Sequence, residues 1–385
     1  MAREKKSERK KATWQQFVGI LFMITIGAAC GAVSVSYLER QATDTPFLSF
    51  IGLFLGLYFS LYFHMAVHEA GHLVFGLMSG YKFSSYRVGS FMLVKERGRL
   101  RLRRLKLAGT GGQCLMTPPD LKDGKIPVAL YNLGGVIMNV AVGLLGLFLY
   151  FLLPDIPLLS PVLLMLMIVG FMTAMLNGIP MRMGTIDNDG YNAFALSKNK
   201  EAIEAFWVQL KLVEQNSKGV RLKDMPAEWF TVPTDEAMKN SMVAARGVFA
   251  CNRLMDEERF EDADRLMAHL LEIESGIVGL HRSLLICDRA YVELIGENRA
   301  EVIDGMMTKE QARFMKAMKR FPTVLRTQYA LALLQKNDTA AADAVKKDFD
   351  KAAKSYPYPH EIDSERELMR IAEEKAVALK QQNGD

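Results

Sequence analysis

The motif His68-Glu69-Ala70-Gly71-His72 lies within a run of apolar and aromatic residues, 47–78, that is long enough to cross a membrane. On a helix, His68 and His72 project from one face because they are four residues apart, and they can bind a single zinc ion. Glu69 then lies beside the metal, placed to take a proton from a zinc-bound water. Ionisable groups are costly in hydrocarbon, so the motif indicates a functional metal site. The alternatives are a chance match and a pair of buried histidines with satisfied hydrogen bonds.

The distribution of apolar residues divides the chain into two parts. Half of the 385 residues are apolar, but the long apolar runs are confined to roughly the first 185. The remainder is rich in Ala, Leu, Glu and Lys, which is typical of soluble helices. We therefore predict an all-α integral membrane protein, with a membrane-embedded domain over 14–195 and a soluble α-helical domain over 200–385.

Four apolar segments are long enough to be transmembrane helices, and they lie near 14–37, 47–78, 128–153 and 161–180. The second is longer than a crossing requires, so it should tilt or protrude from the bilayer. The first could instead be a signal peptide, but its apolar part is longer than a usual signal sequence. A retained anchor is the favoured interpretation, and four crossings return the chain to its starting side.

Basic residues predict the orientation of these helices. The N-terminal segment 1–13 is strongly basic, and the segment between the second and third spans is also basic, with Lys95, Arg97, Arg99, Arg101, Arg103, Arg104 and Lys106. The positive-inside rule places both segments, and so both termini, in the cytoplasm. The four-span format and the short basic N-terminus suit a multi-pass protein of a bacterial plasma membrane.

A catalytic zinc site usually takes three protein ligands, so a third ligand must be sought. His64 is one turn before His68 on the same helical face, but three consecutive turns of a straight helix cannot easily surround a tetrahedral ion. His64 is therefore predicted to be a neighbour of the site. The loop after the fourth span offers Asp187 and Asp189 at the cytoplasmic end of the membrane, where His68 and His72 also lie. Asp189 is favoured because a glycine follows it, and Asp187 is kept as the alternative.

Further motifs accompany this set, namely Gly134-Gly135-Val136-Ile137-Met138-Asn139, Asn177-Gly178-Ile179-Pro180 and Asp189-Gly190. Over 47–192, the chain resembles the site-2 protease family of intramembrane zinc metalloproteases. The resemblance implies that His68, His72 and Asp189 are zinc ligands, that Glu69 is the catalytic base, and that Asn139 lies near the substrate or the oxyanion. Val136 and Asn188 depart from the family pattern, which commonly has Pro and a bulky apolar residue there, so Asp187 stays open as a ligand.

The function expected from these motifs is that of an intramembrane zinc endopeptidase with one Zn²⁺ per chain. Its substrates would be membrane-spanning or membrane-associated proteins or peptides, as in regulated intramembrane proteolysis, signal-peptide remnant removal or pheromone processing. The alternative is a non-catalytic zinc-binding membrane scaffold of the same fold, although a scaffold has no need of Glu69. A zinc transporter would need ionisable residues on several spans, and the third and fourth spans lack them.

The loop between the second and third spans ends in alternating basic and apolar residues, which is strand periodicity, and Arg97-Gly98 predicts a hairpin turn. Such a strand suits an anionic lipid surface. In the site-2 protease family a comparable segment is a re-entrant hairpin that pairs with an extended substrate. The alternative is a solvated basic loop that serves only topology, and a nucleic-acid site so close to the bilayer is excluded.

The glycine-rich segment 109–114 that follows predicts close backbone approach near the active site.

The soluble region has helical periodicity throughout. Residues 244–271 and 329–353 have a helix-turn-helix rhythm that is similar to degraded tetratricopeptide repeats. Its expected role is either to dock a substrate or protein partner or to stabilise the chain. No residue in this region is predicted to be catalytic.

Overall fold

The computed structural model describes residues 2–40, 46–96, 98–107, 110–154, 156–182, 187–196 and 199–382. The described chain is mostly helical, with four candidate membrane-spanning helices and one small antiparallel sheet. It divides into two compact units, each of which is described by itself. The first comprises Met1–Lys82, Gly111–Cys114 and Pro127–Lys198, and the second comprises Phe83–Thr110, Leu115–Ile126 and Asn199–Asp385.

The four long apolar segments form helices α1 (Ala2–Arg40), α2 (Pro46–Met78), α3 (Ala129–Leu152) and α4 (Leu159–Gly178). The apolar part of α1 that can span a membrane is Gly19–Arg40, while α2, α3 and α4 qualify over their whole lengths. The prediction of four candidate spans is therefore confirmed. The side chains of the basic segment 1–13 lie outside the described residues.

Glycines let the membrane helices approach closely. A Cβ atom added to Gly71 of α2 would lie 2.3 Å from the carbonyl oxygen of Gly134 in α3, and one added to Gly134 would lie 2.5 Å from that of Gly71. On the other side of α3, a Cβ at Gly146 would lie 3.0 Å from the carbonyl oxygen of Leu163 in α4. Small residues at such contacts are typical of membrane helix pairs, which gain stability from tight packing. They bring the backbones of α2, α3 and α4 together around the histidines.

Helices α1, α2 and α4 share an apolar cluster, and the outward faces of the helices carry large exposed apolar side chains. The cluster includes Cys30, Leu53 and Val169. Phe54 and Phe148 are 60% and 62% exposed. This distribution suits a lipid environment, where an outer surface need not be polar.

The sheet contains β1 (Lys82–Val88), β2 (Phe91–Glu96), β3 (Arg99–Arg104) and β4 (Gly112–Thr117), in the order β3-β2-β1-β4. The predicted hairpin corresponds to β2 and β3, which are antiparallel and place Leu93 opposite Leu102. Gly98 has a φ of +83°, which suits glycine at the turn, while Arg97 lies outside the described residues. The sequence did not predict β1 and β4, because neither segment alternates regularly between polar and apolar residues.

A short helix, α5 (Asp189–Leu196), belongs to the first unit, and the remaining helices belong to the second. These are α6 (Lys200–Lys218), α7 (Ser241–Asp256), α8 (Phe260–Glu272), α9 (Gly279–Ile295), α10 (Ala300–Met306), α11 (Lys309–Ala317), α12 (Pro322–Ala330), α13 (Thr339–Ala353) and α14 (Pro359–Gln382). Side-chain oxygens of Asn199, Asn240 and Asp338 accept backbone hydrogen bonds at the starts of α6, α7 and α13. The predicted helix pair over 244–271 corresponds to α7 and α8.

Candidate metal centre

Helix α2 carries its ionisable residues on a buried face near its C-terminal end. His64, His68, Glu69 and His72 are 0%, 9%, 7% and 7% exposed. The spacing of three and four residues places them on one side of the helix, and this side faces α3 and α4. Glycines make room for the imidazole rings, since a Cβ at Gly135 would lie 2.5 Å from His68.

His68, His72 and Asp189 bring three ligand atoms to one point. Nε2 of His68 lies 2.8 Å from Oδ2 of Asp189 and 3.2 Å from Nε2 of His72, and Nε2 of His72 lies 3.5 Å from Oδ2 of Asp189. Two ligands that are 2.0–2.1 Å from a tetrahedral ion are about 3.3 Å apart. The three separations bracket this value, so the group can hold a metal ion and leave a fourth position for another ligand.

The orientation of His72 is set by the backbone of α3. Nδ1 of His72 lies 2.7 Å from the carbonyl oxygen of Tyr131, which can only accept a hydrogen bond. The hydrogen of the neutral ring is therefore on Nδ1, and Nε2 presents a lone pair toward His68 and Asp189. Tyr131 is itself held, since its hydroxyl donates to the carbonyl oxygen of Cys114 at 2.7 Å and its ring stacks on Tyr81.

Asp189 reaches the histidines because Asn188 ties the end of α4 to the start of α5. The side-chain nitrogen of Asn188 donates to the carbonyl oxygens of Leu176 and Ile179, at 2.7 and 2.6 Å. Its side-chain oxygen accepts from the backbone nitrogens of Met181 and Tyr191, at 3.0 and 2.9 Å. One amide thus satisfies carbonyls left by the end of α4 and a backbone N–H group at the start of α5.

Close packing reinforces this junction. A Cβ at Gly190 would lie 2.2 Å from the carbonyl oxygen of Gly178, so only glycine fits after Asp189. Steric exclusion of a side chain at position 190 therefore explains why a glycine follows Asp189. Asn188 was noted in the sequence only as a departure from the family pattern, and nothing in its spacing indicated that it would cap both helices.

Asp187 lies away from the two histidines. Its Oδ1 atom accepts from Nε of Arg182 at 3.3 Å, and the residue is 8% exposed. Among the described residues, the group of potential metal ligands contains Asp189 and not Asp187. The sequence favoured Asp189 but kept Asp187 as an alternative, because the loop between Pro180 and Gly190 has no periodicity from which its path can be inferred.

The charge of Asp189 suits a cation. Burial alone raises the pKa of its carboxyl group, but protonated His72 and His68 outweigh this effect and hold the pKa below its ordinary value. A cation other than a proton would have to take the place of these protons, since the carboxylate and the neutral imidazoles are the forms that bind a metal.

Glu69 lies against the first residues of β4. A Cβ at Gly112 would lie 2.3 Å from Oε1 of Glu69, so a side chain at this position would displace the carboxylate. The prediction that the glycine-rich segment 109–114 permits close approach is confirmed at Gly112, whereas residues 108 and 109 lie outside the described part of the chain. The glutamate is thus held next to a segment of extended backbone.

His64 and Asn139 form a second layer behind His68. The amide of Asn139 lies between two imidazole rings, with Oδ1 3.2 Å from Nδ1 of His64 and Nδ2 3.1 Å from Nδ1 of His68. Nδ2 is also 3.1 Å from the hydroxyl of Thr173. His64 is a neighbour of the three-residue group and does not belong to it, as the helical geometry predicted. Asn139 was predicted to lie near the substrate or oxyanion, and its amide contacts these three side chains.

We compared the chain with protein-family models, with curated proteins and with solved structures, and found no match in any of the three.

Proposed function

We propose that this protein is an intramembrane zinc endopeptidase. The observation that carries the proposal is the cluster of His68, His72 and Asp189, whose ligand atoms lie 2.8–3.5 Å apart, with both histidines in a helix that is apolar enough to cross a membrane. Two imidazole nitrogens and one carboxylate oxygen are a known ligand set for catalytic zinc, which keeps one position open. The resemblance of residues 47–192 to the site-2 protease family supports the same activity.

In the proposed mechanism, zinc, when bound, supplies a Lewis acid that acidifies a water molecule and polarises a peptide carbonyl. Glu69 accepts the proton of the attacking water and passes it to the leaving amine. Gly112 keeps this carboxylate in place, since the two residues are in contact. The histidines and Asp189 would hold the metal, and hydrogen bonds to the carbonyl of Tyr131 and the amide of Asn139 fix the orientations of the two imidazoles.

The proposed substrates are membrane-spanning or membrane-associated polypeptides. The two histidines and Glu69 lie in a helix apolar enough to span a membrane, so a substrate would reach them from the bilayer or its surface. A helical substrate hides its carbonyl groups in hydrogen bonds, so the scissile segment must be extended. β4 is an outer strand of the sheet, and its first residues contact Glu69, so we propose that an extended substrate pairs with this strand.

The sheet also supports a proposed contact with anionic lipid. Leu100 and Leu102 of β3 are 59% and 68% exposed, and Phe91 on β2 is 53% exposed on the same face. The guanidinium of Arg104 lies over the Phe91 ring at 4.9 Å. Apolar side chains bordered by arginine suit the surface of an anionic leaflet. We propose that this face touches the cytoplasmic leaflet of a plasma membrane, with both termini in the cytoplasm.

The helix pairs of the second unit support a proposed tetratricopeptide-like arrangement. Neighbouring helices such as α7 and α8 pack against each other, as in helical repeats. We propose that this part of the chain docks a protein partner or the substrate. A stabilising role alone is the alternative.

Cleavage by the full-length protein in lipid vesicles tests the function. The probes are single-span peptides whose transmembrane segments contain glycine or proline, so that an extended conformation is accessible. We expect cleavage by the wild type, and a loss of about 10²- to 10⁴-fold in Glu69→Gln, the typical contribution of a general base, with zinc content unchanged. Glu39→Gln, which changes an exposed glutamate at the end of α1, is the matched control and should cleave normally.

Two results would count against the proposal. If Glu69→Gln cleaved at the wild-type rate, the proposed mechanism would be wrong. If the wild type bound zinc but cleaved none of the probes, the non-catalytic zinc-binding scaffold would become the preferred function.

A further inference from the structure

Two buried polar side chains behind His68, those of His64 and Asn139, form a continuous chain of hydrogen bonds. His64 and Asn139 are 0% and 1% exposed, and the amide of Asn139 bridges Nδ1 of His64 and Nδ1 of His68. Nε2 of His64 lies 2.8 Å from the carbonyl oxygen of Leu166 in α4. Polar groups are costly inside a membrane, so such a chain calls for a functional reason.

Steric contacts fix the positions of these groups. A Cβ at Gly170 would lie 2.7 Å from Cε1 of His64 and 2.8 Å from the backbone oxygen of Asn139. A Cβ at Gly135 would lie 2.5 Å from Cε1 of His68. Both rings are therefore confined, and the amide between them can change its hydrogen bonds only by a half-turn that exchanges its oxygen and nitrogen.

The carbonyl of Leu166 determines which nitrogen of His64 carries the hydrogen. A carbonyl oxygen only accepts, so Nε2 of His64 must donate to it, and the neutral ring has a lone pair on Nδ1. That lone pair requires a donor, and the NH₂ group of Asn139 can provide it after the half-turn. The hydroxyl of Thr173 accepts from Asn139 and donates to the carbonyl oxygen of Val169 at 2.7 Å, so after the half-turn it must donate to the oxygen of Asn139 in place of Val169.

The half-turn of the Asn139 amide also determines which nitrogen of His68 carries the hydrogen. After the half-turn, the oxygen of Asn139 faces Nδ1 of His68. Nδ1 must then donate a hydrogen bond to this oxygen, so Nε2 of His68 has a lone pair toward His72 and Asp189. With the opposite orientation, Nδ1 of His68 accepts, and the hydrogen on Nε2 is directed at Asp189. Only the first arrangement leaves Nε2 able to bind a metal.

We propose that Asn139 is a positioning residue that sets the metal-binding tautomer of His68, and that His64 holds the Asn139 amide in the required orientation. His72 has the equivalent arrangement, because the carbonyl of Tyr131 fixes its hydrogen on Nδ1. Both imidazoles then direct Nε2 lone pairs to one point. This inference rests on the proposed zinc site, and it gives Asn139 a role that requires no contact with substrate.

The test is the zinc affinity of the full-length protein in detergent, measured by competition with a chelator. We expect Asn139→Leu to weaken zinc binding by about 10- to 100-fold, as is typical for the loss of a hydrogen-bond partner of a metal ligand. Asn139→Asp should retain most of the affinity, because a carboxylate accepts from Nδ1 of His68 in any orientation. Asn132→Leu is the matched control, since Asn132 is a buried asparagine of α3 whose side-chain nitrogen donates to the carbonyl oxygen of Val128 in its own helix.

His64 is tested by the variant His64→Phe in two backgrounds. With Asn139 present, His64→Phe should weaken zinc binding several-fold, because the amide is no longer held in one orientation. With Asn139→Asp present, it should cause no further loss, since the carboxylate does not need orienting and offers no donor to Nδ1 of His64. A role in packing alone would give the same loss in both backgrounds.

The possible outcomes separate this inference from the proposed function. If the wild type binds zinc and Asn139→Leu binds it equally well, the positioning role is wrong while the zinc site stands. If His64→Phe weakened zinc binding equally in both backgrounds, His64 would not be the residue that orients the Asn139 amide. If the folded wild type binds no zinc, the proposed function fails and this inference fails with it. Should Asn139→Leu not fold, Asn139→Asp and the two His64→Phe proteins still decide the question.

Discussion

Both units bury ionisable groups, but they combine them differently. In the second unit, Arg326 is 1% exposed and is paired with Asp288 and Glu365, the latter at 2.9 Å. In the first, the cluster around His68 consists of imidazoles and carboxylates. A guanidinium between two carboxylates gives each of them a positive partner within the fold. Imidazole and carboxylate lone pairs that converge on one point instead repel one another unless a cation or a proton lies between them.

The contacts of Arg326 and of the histidine cluster differ in the same way. The guanidinium of Arg326 also lies over the ring of Tyr291 at 4.3 Å, so its charge and its planar face are both used within the fold. At the histidine cluster, Nδ1 of His72 and Nδ1 of His68 face outward, to the carbonyl of Tyr131 and the amide of Asn139. These outward hydrogen bonds leave the Nε2 atoms of His68 and His72, which face Asp189, available for a ligand. The comparison thus indicates stability for the arginine set and function for the histidine set.

The largest effect is expected when the histidine set loses its carboxylate. Asp189→Ala should remove zinc binding and cleavage together, because two imidazoles alone do not supply the three protein ligands of a catalytic zinc site. Asp187→Ala is the matched control and should keep both, since Asp187 bonds to Arg182. Zinc content per chain, measured by elemental analysis, separates the two variants. Zinc lost from Asp187→Ala and kept by Asp189→Ala would reverse the assignment.

A smaller effect, of a different kind, is expected from the arginine set. Arg326→Met leaves two buried carboxylates without their cation and should lower the free energy of unfolding by about 3–5 kcal/mol. Zinc affinity should stay at the wild-type value. Urea unfolding followed by the fluorescence of Trp207 and Trp229 reports on this unit, where the two rings are in contact.

The control for this variant is an exposed arginine. Arg265 is 78% exposed and lies 3.7 Å from Asp262, so Arg265→Met should change the free energy of unfolding by at most about 1 kcal/mol. Equal stability of Arg326→Met and Arg265→Met would contradict the structural role assigned to Arg326.

The smallest effect is expected at the junction that delivers Asp189. Asn188→Leu removes the hydrogen bonds that join α4 to α5 and should weaken zinc binding by about 10- to 100-fold. Asn188→Asp should be intermediate, because it keeps the acceptor for Tyr191 but loses the donors. Asn192→Leu on the same helix is the control. Wild-type zinc affinity in Asn188→Leu would show that Asp189 is positioned without this cap.

The four spans and the histidine motif could be predicted because both depend on local patterns. Long apolar runs identify membrane helices, and a spacing of four residues places His68 and His72 on one face of α2 whatever surrounds them. The position of His64 as a neighbour followed from the same geometry. These features need no knowledge of which helix packs against which.

The features that the sequence did not predict depend on contacts between distant residues. The sequence favoured Asp189 over Asp187 from the glycine that follows it, but it did not reveal that Asn188 joins the end of α4 to the start of α5 and so places Asp189. The hydrogen bond from His72 to Tyr131 involves a backbone carbonyl, which every residue has and no sequence pattern reveals. Such contacts become visible only when α2, α3 and α4 are assembled.

The most direct test of the account is the zinc content of purified wild-type protein in its full length, after zinc has been supplied and excess metal removed. The account predicts about one zinc ion per chain, held by His68, His72 and Asp189. A well-folded protein without zinc would contradict it, and the histidine set would then be a buried hydrogen-bonded cluster like the arginine set.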